Sequence, residues 1–338
     1  SRDNTAIAGI ADAADIHTRH LDVAAHTTDW LLTLSPTSGQ GEGVAANGMV
    51  SYNKLHDTTL ASISREAHVD AQSVHVNADL SLGVLAVTGA VTKSENSGVG
   101  IGVAMNEITG ITRASIGDND TDGGGEDTAE GTAGSIQTGQ LDVGARSDGL
   151  IVAVGVAGAM AGGEDNSGAG GGSSTSVMGG KAAGGSGGAQ SSLDGSGTAA
   201  LSGVGDSLSA QGAASEGEGG GEGESKPPPF SIAGAGAIVT NFSDVDTMAL
   251  IDRAVVQGLD GGTTGVGVRA LSDLTQVSVA GGGALAMANN ASTTFSSAIA
   301  GAVAIQDSDD DTTARIVGST IPGLADRPGS LTVDALKS

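Results

Sequence analysis

Apolar residues recur at every second position in a five-residue phrase that appears five times along this chain. The phrase has the form Leu/Val-x-Val-x-Ala, and its copies begin at Leu21, Val74, Leu141, Val266 and Leu331. A spacing of two places the apolar side chains on one face of a β-strand. Strands that repeat in this way along a chain are typical of a solenoid. The pattern therefore predicts an all-β fold, a β-solenoid (β-helix) of stacked coils.

A second phrase repeats in the same order and supports the stacking of equivalent positions. Its first copy contains Val50, Asn53, Ala61 and Ile63, and every member recurs 53 residues later as Val103, Asn106, Ala114 and Ile116. Later copies contain Ile238, Asn241, Ala249 and Ile251, and more weakly Val303, Gln306, Ala314 and Ile316. Successive starts of the first phrase are separated by 53, 67, 125 and 65 residues. We expect residues separated by these offsets to lie side by side on neighbouring strands.

The interval of 125 residues contains a stretch rich in Gly, Ser and Ala, from residue 162 to residue 229. It ends in three prolines, which cannot donate main-chain hydrogen bonds and so stop the preceding chain from joining a sheet. The sequence thus predicts three parts: solenoid repeats over 1–161, a Gly/Ser/Ala-rich insertion over 162–229, and continuing solenoid repeats over 230–338. We expect the insertion to pack on a solenoid face or at a subunit contact.

Within one unit, the pattern predicts an outer-face strand over 74–78, a buried strand over 84–90, a polar turn over 93–97 and a second buried strand over 99–105. In that last strand, branched residues alternate with glycine and alanine, which indicates close approach of another layer on the glycine face. The alternative fold is a β-sandwich with long hairpins, because the turn over 93–97 also suits a hairpin.

Composition narrows the classes of partner. The chain has 14 Lys and Arg against 39 Asp and Glu, a formal net charge of −25. Nucleic acid and anionic membranes require a basic surface, so cations are the more natural counterpart. The most apolar run, residues 150–161, is too short to span a bilayer, and no membrane insertion is expected. The chain has no cysteine and only 1% aromatic residues, which suits a thin core of small side chains.

Two acidic clusters are candidate calcium sites. The first resembles the beginning of an EF-hand loop, because alternate aspartates precede Gly123; the closing glutamate is absent, since Ala129 occupies its position. The second cluster has the same alternate spacing without a glycine. A solvated acidic turn is the alternative at both places. The candidate calcium ligands are Asp118, Asp120, Asp122, Glu126, Asp307, Asp309 and Asp311.

The sequence favours a protein that is not an enzyme. Enzymes built on parallel β-helices commonly act on acidic polysaccharide and need carboxylates together with basic groups and aromatic sugar platforms. This chain has one Trp, one Tyr and three Phe. Its Lys and Arg residues are scattered, and no nucleophile stands beside a recognisable base.

The repeats at 99–106, 114–116, 141–145 and 300–305 resemble those of very large secreted filamentous adhesins of Gram-negative bacteria, of the leukotoxin-like and filamentous-haemagglutinin-like families. The likeness is one of repeat style and covers most of the chain outside 162–229. It implies an elongated extracellular or cell-surface stalk for adhesion, biofilm cohesion or fibre formation, and transfers no active site. Its partners would be itself or covalent neighbour repeats end to end. The alternative is a module that binds a host or cell-surface glycan or protein.

Overall fold

The regular structure of the described residues is β-strand. The computed structural model describes residues 1–117, 135–162, 230–259, 264–286, 295–321 and 330–337. Within these ranges the strands are β1 (Arg2–Ile10), β2 (Asp15–Gly41), β3 (Val44–Ile63), β4 (His68–Ser94), β5 (Ser97–Ile116), β6 (Ser135–Ala161), β7 (Phe230–Asp252), β8 (Val255–Gln257), β9 (Gly265–Ala286), β10 (Phe295–Ser308), β11 (Thr312–Val317) and β12 (Leu331–Lys337). This part of the chain contains no helix of the length and apolarity needed to cross a membrane.

The strands form two sheets, and the chain passes alternately from one to the other. Sheet I has the order β1-β3-β5-β7-β10, with β11 also paired to β7; sheet II has the order β12-β9-β6-β4-β2, with β8 also paired to β6. Every described strand pair is parallel. The turn predicted over 93–97 is confined to residues 95 and 96. It joins β4 of sheet II to β5 of sheet I, so it is not a hairpin turn, and the alternative of a hairpin sandwich is wrong.

The register of both sheets follows the sequence repeats. In sheet II the first residues of the five apolar phrases are partners in succession, from Leu21 through Val74, Leu141 and Val266 to Leu331. In sheet I the second phrase aligns in the same way, with Asn53, Asn106, Asn241 and Gln306 in one row across the strands. The offsets read from the sequence are therefore confirmed as strand register, and the insertion does not interrupt it.

The larger core cluster lies beneath the apolar phrases. Val74, Val76 and Ala78 are fully buried in it, together with Ile63 and Ile116 from sheet I. The prediction of an outer-face strand over 74–78 is therefore wrong. Residues 74–78 and 84–90 belong to the same strand, β4, and the alternation that buries Val84 also buries Val74.

The two sheets approach each other closely where their inward residues are glycine and alanine. A Cβ added to Gly100 of β5 would lie 2.4 Å from the main-chain oxygen of Gly158 in β6. The predicted close approach of a second layer is thus confirmed. The expectation that 99–105 is a buried strand holds for its Gly and Ala face only. Val99 and Val103 point outward and are partly exposed, because the narrow space between the sheets excludes branched side chains.

Candidate functional site

The second acidic cluster lies at the junction of β10 and β11. Asp307, Asp309 and Asp311 are exposed there, whereas Asp310 is buried. The carboxylate of Asp310 accepts hydrogen bonds from Ser243 Oγ at 2.6 Å and from the main-chain N–H of Val245 at 2.9 Å. Both donors belong to β7. This side chain therefore connects the junction of β10 and β11 to β7.

The neighbouring aspartates repel one another. Burial raises the pKa of Asp246 above its ordinary value, and the charges of Asp244, Asp311, Asp309 and Asp310 raise it further. A cation at this edge would relieve part of that repulsion. Within the described ranges, however, no three His, Cys, Asp or Glu side chains form a group that could hold a metal ion.

The first acidic cluster cannot be compared with the structure in the same way. Asp118, Asp120, Asp122 and Glu126 lie outside the described residues, as does the insertion from residue 163 to residue 229. Calcium at either cluster, and packing of the insertion on a sheet or at a subunit contact, therefore stay predictions.

A row of amide side chains crosses the interior of the fold from strand to strand. Thr33 Oγ1 donates to Asn53 Oδ1 at 2.7 Å. Asn53 Nδ2 then donates to Asn106 Oδ1, and Asn106 Nδ2 to Asn241 Oδ1, both at 2.8 Å. Asn241 Nδ2 donates in turn to Ser278 Oγ at 2.9 Å. The row runs across the strands from sheet II through sheet I and back to sheet II, so it links the two sheets at both ends.

Two carboxylates that the sequence analysis did not single out meet inside the first part of the fold. Asn4 Nδ2 donates to Asp29 Oδ2 at 2.6 Å and to Asp57 Oδ1 at 3.0 Å, and the Arg2 guanidinium lies 2.7 Å from Asp29 Oδ1. Burial raises the pKa of Asp57; the hydrogen bond from Asn4 opposes this, and the charge of Asp29 adds to it. The sequence did contain a signal for Asp29. It lies an even number of residues from Leu21 in β2, so both side chains point to the inward face.

Among the described residues, both sheets end in strands whose outer main-chain edges have no strand partner. Sheet II ends at β2 on one side. On its other side β12 pairs with residues 266–272 of β9, and residues 273–286 have no further strand partner among the described residues. In sheet I, β1 covers residues 55–63 of β3, which leaves 44–54 open in the described part of the chain. Such edges present rows of N–H and C=O groups that can pair with another chain.

Along the strands of sheet II, the outward side chains change from largely charged and polar to largely apolar. We define its charged half as residues 15–29, 68–82, 135–149 and 265–274, and its apolar half as residues 30–41, 83–94, 150–161 and 275–286. Outward residues of the charged half include Asp22, Asp79, Asp142, Arg146, Asp148, Arg269 and Asp273. In the apolar half the one outward charge is Lys93. The large side chains exposed there are Trp30, Leu32, Leu34, Leu85, Val91, Leu150, Val277, Val279 and Leu285.

The chain matches no protein-family model, no curated protein and no solved structure in comparisons with each.

Proposed function

We propose that this chain is a structural segment of an extracellular adhesin or surface filament that serves cell adhesion, biofilm cohesion or fibre formation. In this proposal the strands are the stacked coils of a β-solenoid, and each coil is one passage through sheets I and II. The observation that carries the proposal is the parallel register, in which Leu21, Val74, Leu141, Val266 and Leu331 stand in one row. A stack of this kind extends by adding equivalent coils, because each coil contacts only its neighbours.

The partner in this proposal is another copy of the chain, or a covalent neighbour repeat, added end to end. The open edges of β2 and β9 support it, because an added strand would satisfy main-chain groups that otherwise face water. The acidic surface opposes close stacking of copies, and calcium is the cation we propose to offset it. No catalytic step is assigned to any residue.

Electron microscopy of the purified chain, with calcium and with a chelator, tests the proposal. We expect rods a few nanometres wide whose length increases with protein concentration, and we expect calcium to lengthen them. Compact particles of constant size in both solutions would contradict the filament. Rods that form equally with chelator would remove calcium from the proposal and leave the rest.

Two neighbouring proline substitutions in β2 test the edge itself. Residues 24 and 25 are consecutive, so one turns its N–H toward β4 and the other toward the open edge. The two variants are Ala24→Pro and Ala25→Pro. Ala25 belongs to the core, so its proline variant should lower the melting temperature in either case. The variant whose N–H faces the open edge should in addition shorten the rods under conditions in which the variant is still folded. If both variants form full-length rods while folded, growth does not use this edge.

Deletion of residues 162–229 separates the filament from a receptor-binding module. Loss of glycan or protein binding with intact rods and melting would favour a module carried by the insertion. Intact binding to cells with loss of rods would instead give the insertion a structural role.

A further inference from the structure

The apolar half of sheet II is exposed because the interior of this region has no space for large side chains. Its inward positions are mostly small, with Ala157, Ala159 and Ala161 packed against Ala233 and Ala235 of sheet I. The branched residues of the same strands therefore point outward. Trp30 lies flat over Gly83, where an added Cβ would come within 2.4 Å of the indole ring. The resulting surface is broad, apolar and formed by regular strands.

We propose that a second copy of this chain covers the apolar half of sheet II, face to face. The contact uses the outer face and not the strand edges, so it joins filaments side by side and does not depend on end-to-end growth. Two apolar sheet faces can pack about 10 Å apart with their side chains interdigitated, as in the interior of a β-sandwich.

The size of the face suits a stable dimer. It is four strands wide (β2, β4, β6 and β9) and about 12 residues long, which gives roughly 750 Å² at usual strand spacing and rise. A specific interface buries about 800 Å² on each partner. Exposed apolar patches larger than a few hundred Å² are uncommon on monomers and mark interaction sites. Trp30, Leu32 and Leu34 are 70%, 61% and 63% exposed, so their burial would supply much of the driving force.

The charges select the orientation of the two copies. With strands parallel across the interface, the charged halves would also face each other. The rotation about the strand direction would place β6, with Asp142 and Asp148, over β4 of the other copy, with Asp79, in a chain of net charge −25. With strands antiparallel, the apolar halves overlap and the charged halves project in opposite directions. A two-fold axis along the stacking direction produces this second arrangement. It also gives both filaments the same polarity, as a bundle of surface stalks requires.

A lipid surface fits the face less well. The main-chain edge of β2 runs the full length of the apolar half, and its unpaired groups would be buried in hydrocarbon without partners. The charged residues Glu42, Lys93 and Glu95 lie at the end of the same region, where contact with the hydrocarbon would be costly.

Sedimentation velocity and tryptophan fluorescence over a dilution series test the proposal. Trp30 is the sole tryptophan, so association should move its emission to shorter wavelength as the protein concentration rises. The double variant Leu34→Lys and Leu85→Lys should remain monomeric over a concentration range at least tenfold beyond that of the unchanged chain. Its matched control, Ala24→Lys and Asn77→Lys, adds the same charge to the charged half and should associate normally. Equal melting temperatures exclude loss of folding, since all four side chains point outward.

Cysteine substitutions test the orientation, because the chain has no cysteine of its own. Leu85 and Val91 lie on either side of the middle of the apolar half in β4 and are 37% and 43% exposed. The antiparallel arrangement brings Leu85 of one copy near Val91 of the other. A short bismaleimide should therefore join Leu85→Cys to Val91→Cys in a mixture more efficiently than it joins either variant to itself.

Three results would overturn the proposal. The first is a chain that stays monomeric at all concentrations, and the second is a lysine double variant that associates like its control. The third is flotation of the monomer with neutral phosphatidylcholine vesicles, abolished by the same double variant, which would make lipid the occupant. Failure of end-to-end growth is distinguishable, because the proline variants of β2 affect rod length and the lysine double variant affects only side-by-side contact.

Discussion

Asn53 donates a hydrogen bond through Nδ2 to Oδ1 of Asn106 at 2.8 Å, across 53 residues of chain. Both side chains are buried. Asn106 repeats the bond to Asn241, so its amide donates on one side and accepts on the other. A row of this kind exists only if each strand is in register with the next, because a slip of one residue would turn the amide to the opposite face. The amide row therefore reinforces the register that the main chain forms.

We expect Asn106→Ala to destabilise the fold. The substitution leaves Asn53 Nδ2 and Asn241 Oδ1 buried without their partner, and a buried polar group that loses its partner costs about 1 to 3 kcal/mol. Denaturant unfolding monitored by circular dichroism should show a lower midpoint. Thr109→Ala is the control. The Thr109 side chain points outward and its hydroxyl bonds to His56 at the surface, so its loss should lower the midpoint less. An unchanged midpoint for Asn106→Ala would mean that the amide row contributes nothing to stability.

The close approach of the sheets gives a second prediction. An added Cβ at Gly100 would meet the main-chain oxygen of Gly158, whereas one at Gly236 would have no atom within 4 Å. Gly100→Ala should therefore cost about 1 to 3 kcal/mol through overpacking. Gly236→Ala should be neutral or stabilise by up to about 1 kcal/mol, because it reduces the freedom of the unfolded chain. The measurement is the melting temperature of each variant, which should be lower for Gly100→Ala than for Gly236→Ala. Equal melting temperatures would show that the sheets can separate at little cost.

The sequence predicts the strand register well because equivalent residues stack on one another, so a constant offset in sequence gives the strand partner directly. The offset of 53 residues places Val50 on Val103 whatever the path of the chain between them. The sequence does not by itself determine which face of a strand is inside. Alternation separates Val99 from Gly100, and hydrophobicity alone would bury the valine. The opposing strand decides otherwise, because the main chain of Gly158 lies where a valine side chain would need to be.

The paired carboxylates show a different limit. Parity places Asp29 on the inward face of β2, yet only the fold shows that Asp57 of β3 and Asn4 of β1 meet it there. The carboxylate pair is not repeated in the next coil. The positions equivalent to Asp29 and Asp57 are Leu82 in β4 and Gly110 in β5. A contact that occurs once has no periodic signal.

The raised pKa of Asp57 predicts the pH dependence of stability. The folded state holds the proton of Asp57 more tightly than the unfolded state does, so this residue lowers stability as the pH rises from the unfolded pKa through the folded one. Asp57→Asn should therefore raise the melting temperature at pH 7 and have little effect at pH 3. Asp22→Asn, an exposed change of equal charge, is the control. A gain of the same size at both pH values would point to a cause other than the proton.

The buried carboxylate at the end of sheet I separates a structural from a metal-binding role for its cluster. Asp310→Ala would leave the main-chain N–H of Val245 and the hydroxyl of Ser243 without their acceptor. We expect a loss of about 1 to 3 kcal/mol in the free energy of unfolding, the same with calcium or with a chelator. Asp309→Ala removes an exposed carboxylate from the same turn and should change stability by less than about 0.5 kcal/mol without calcium. If calcium raises the melting temperature of the unchanged chain but not of Asp309→Ala, the exposed carboxylates hold the cation and Asp310 positions the turn that carries them.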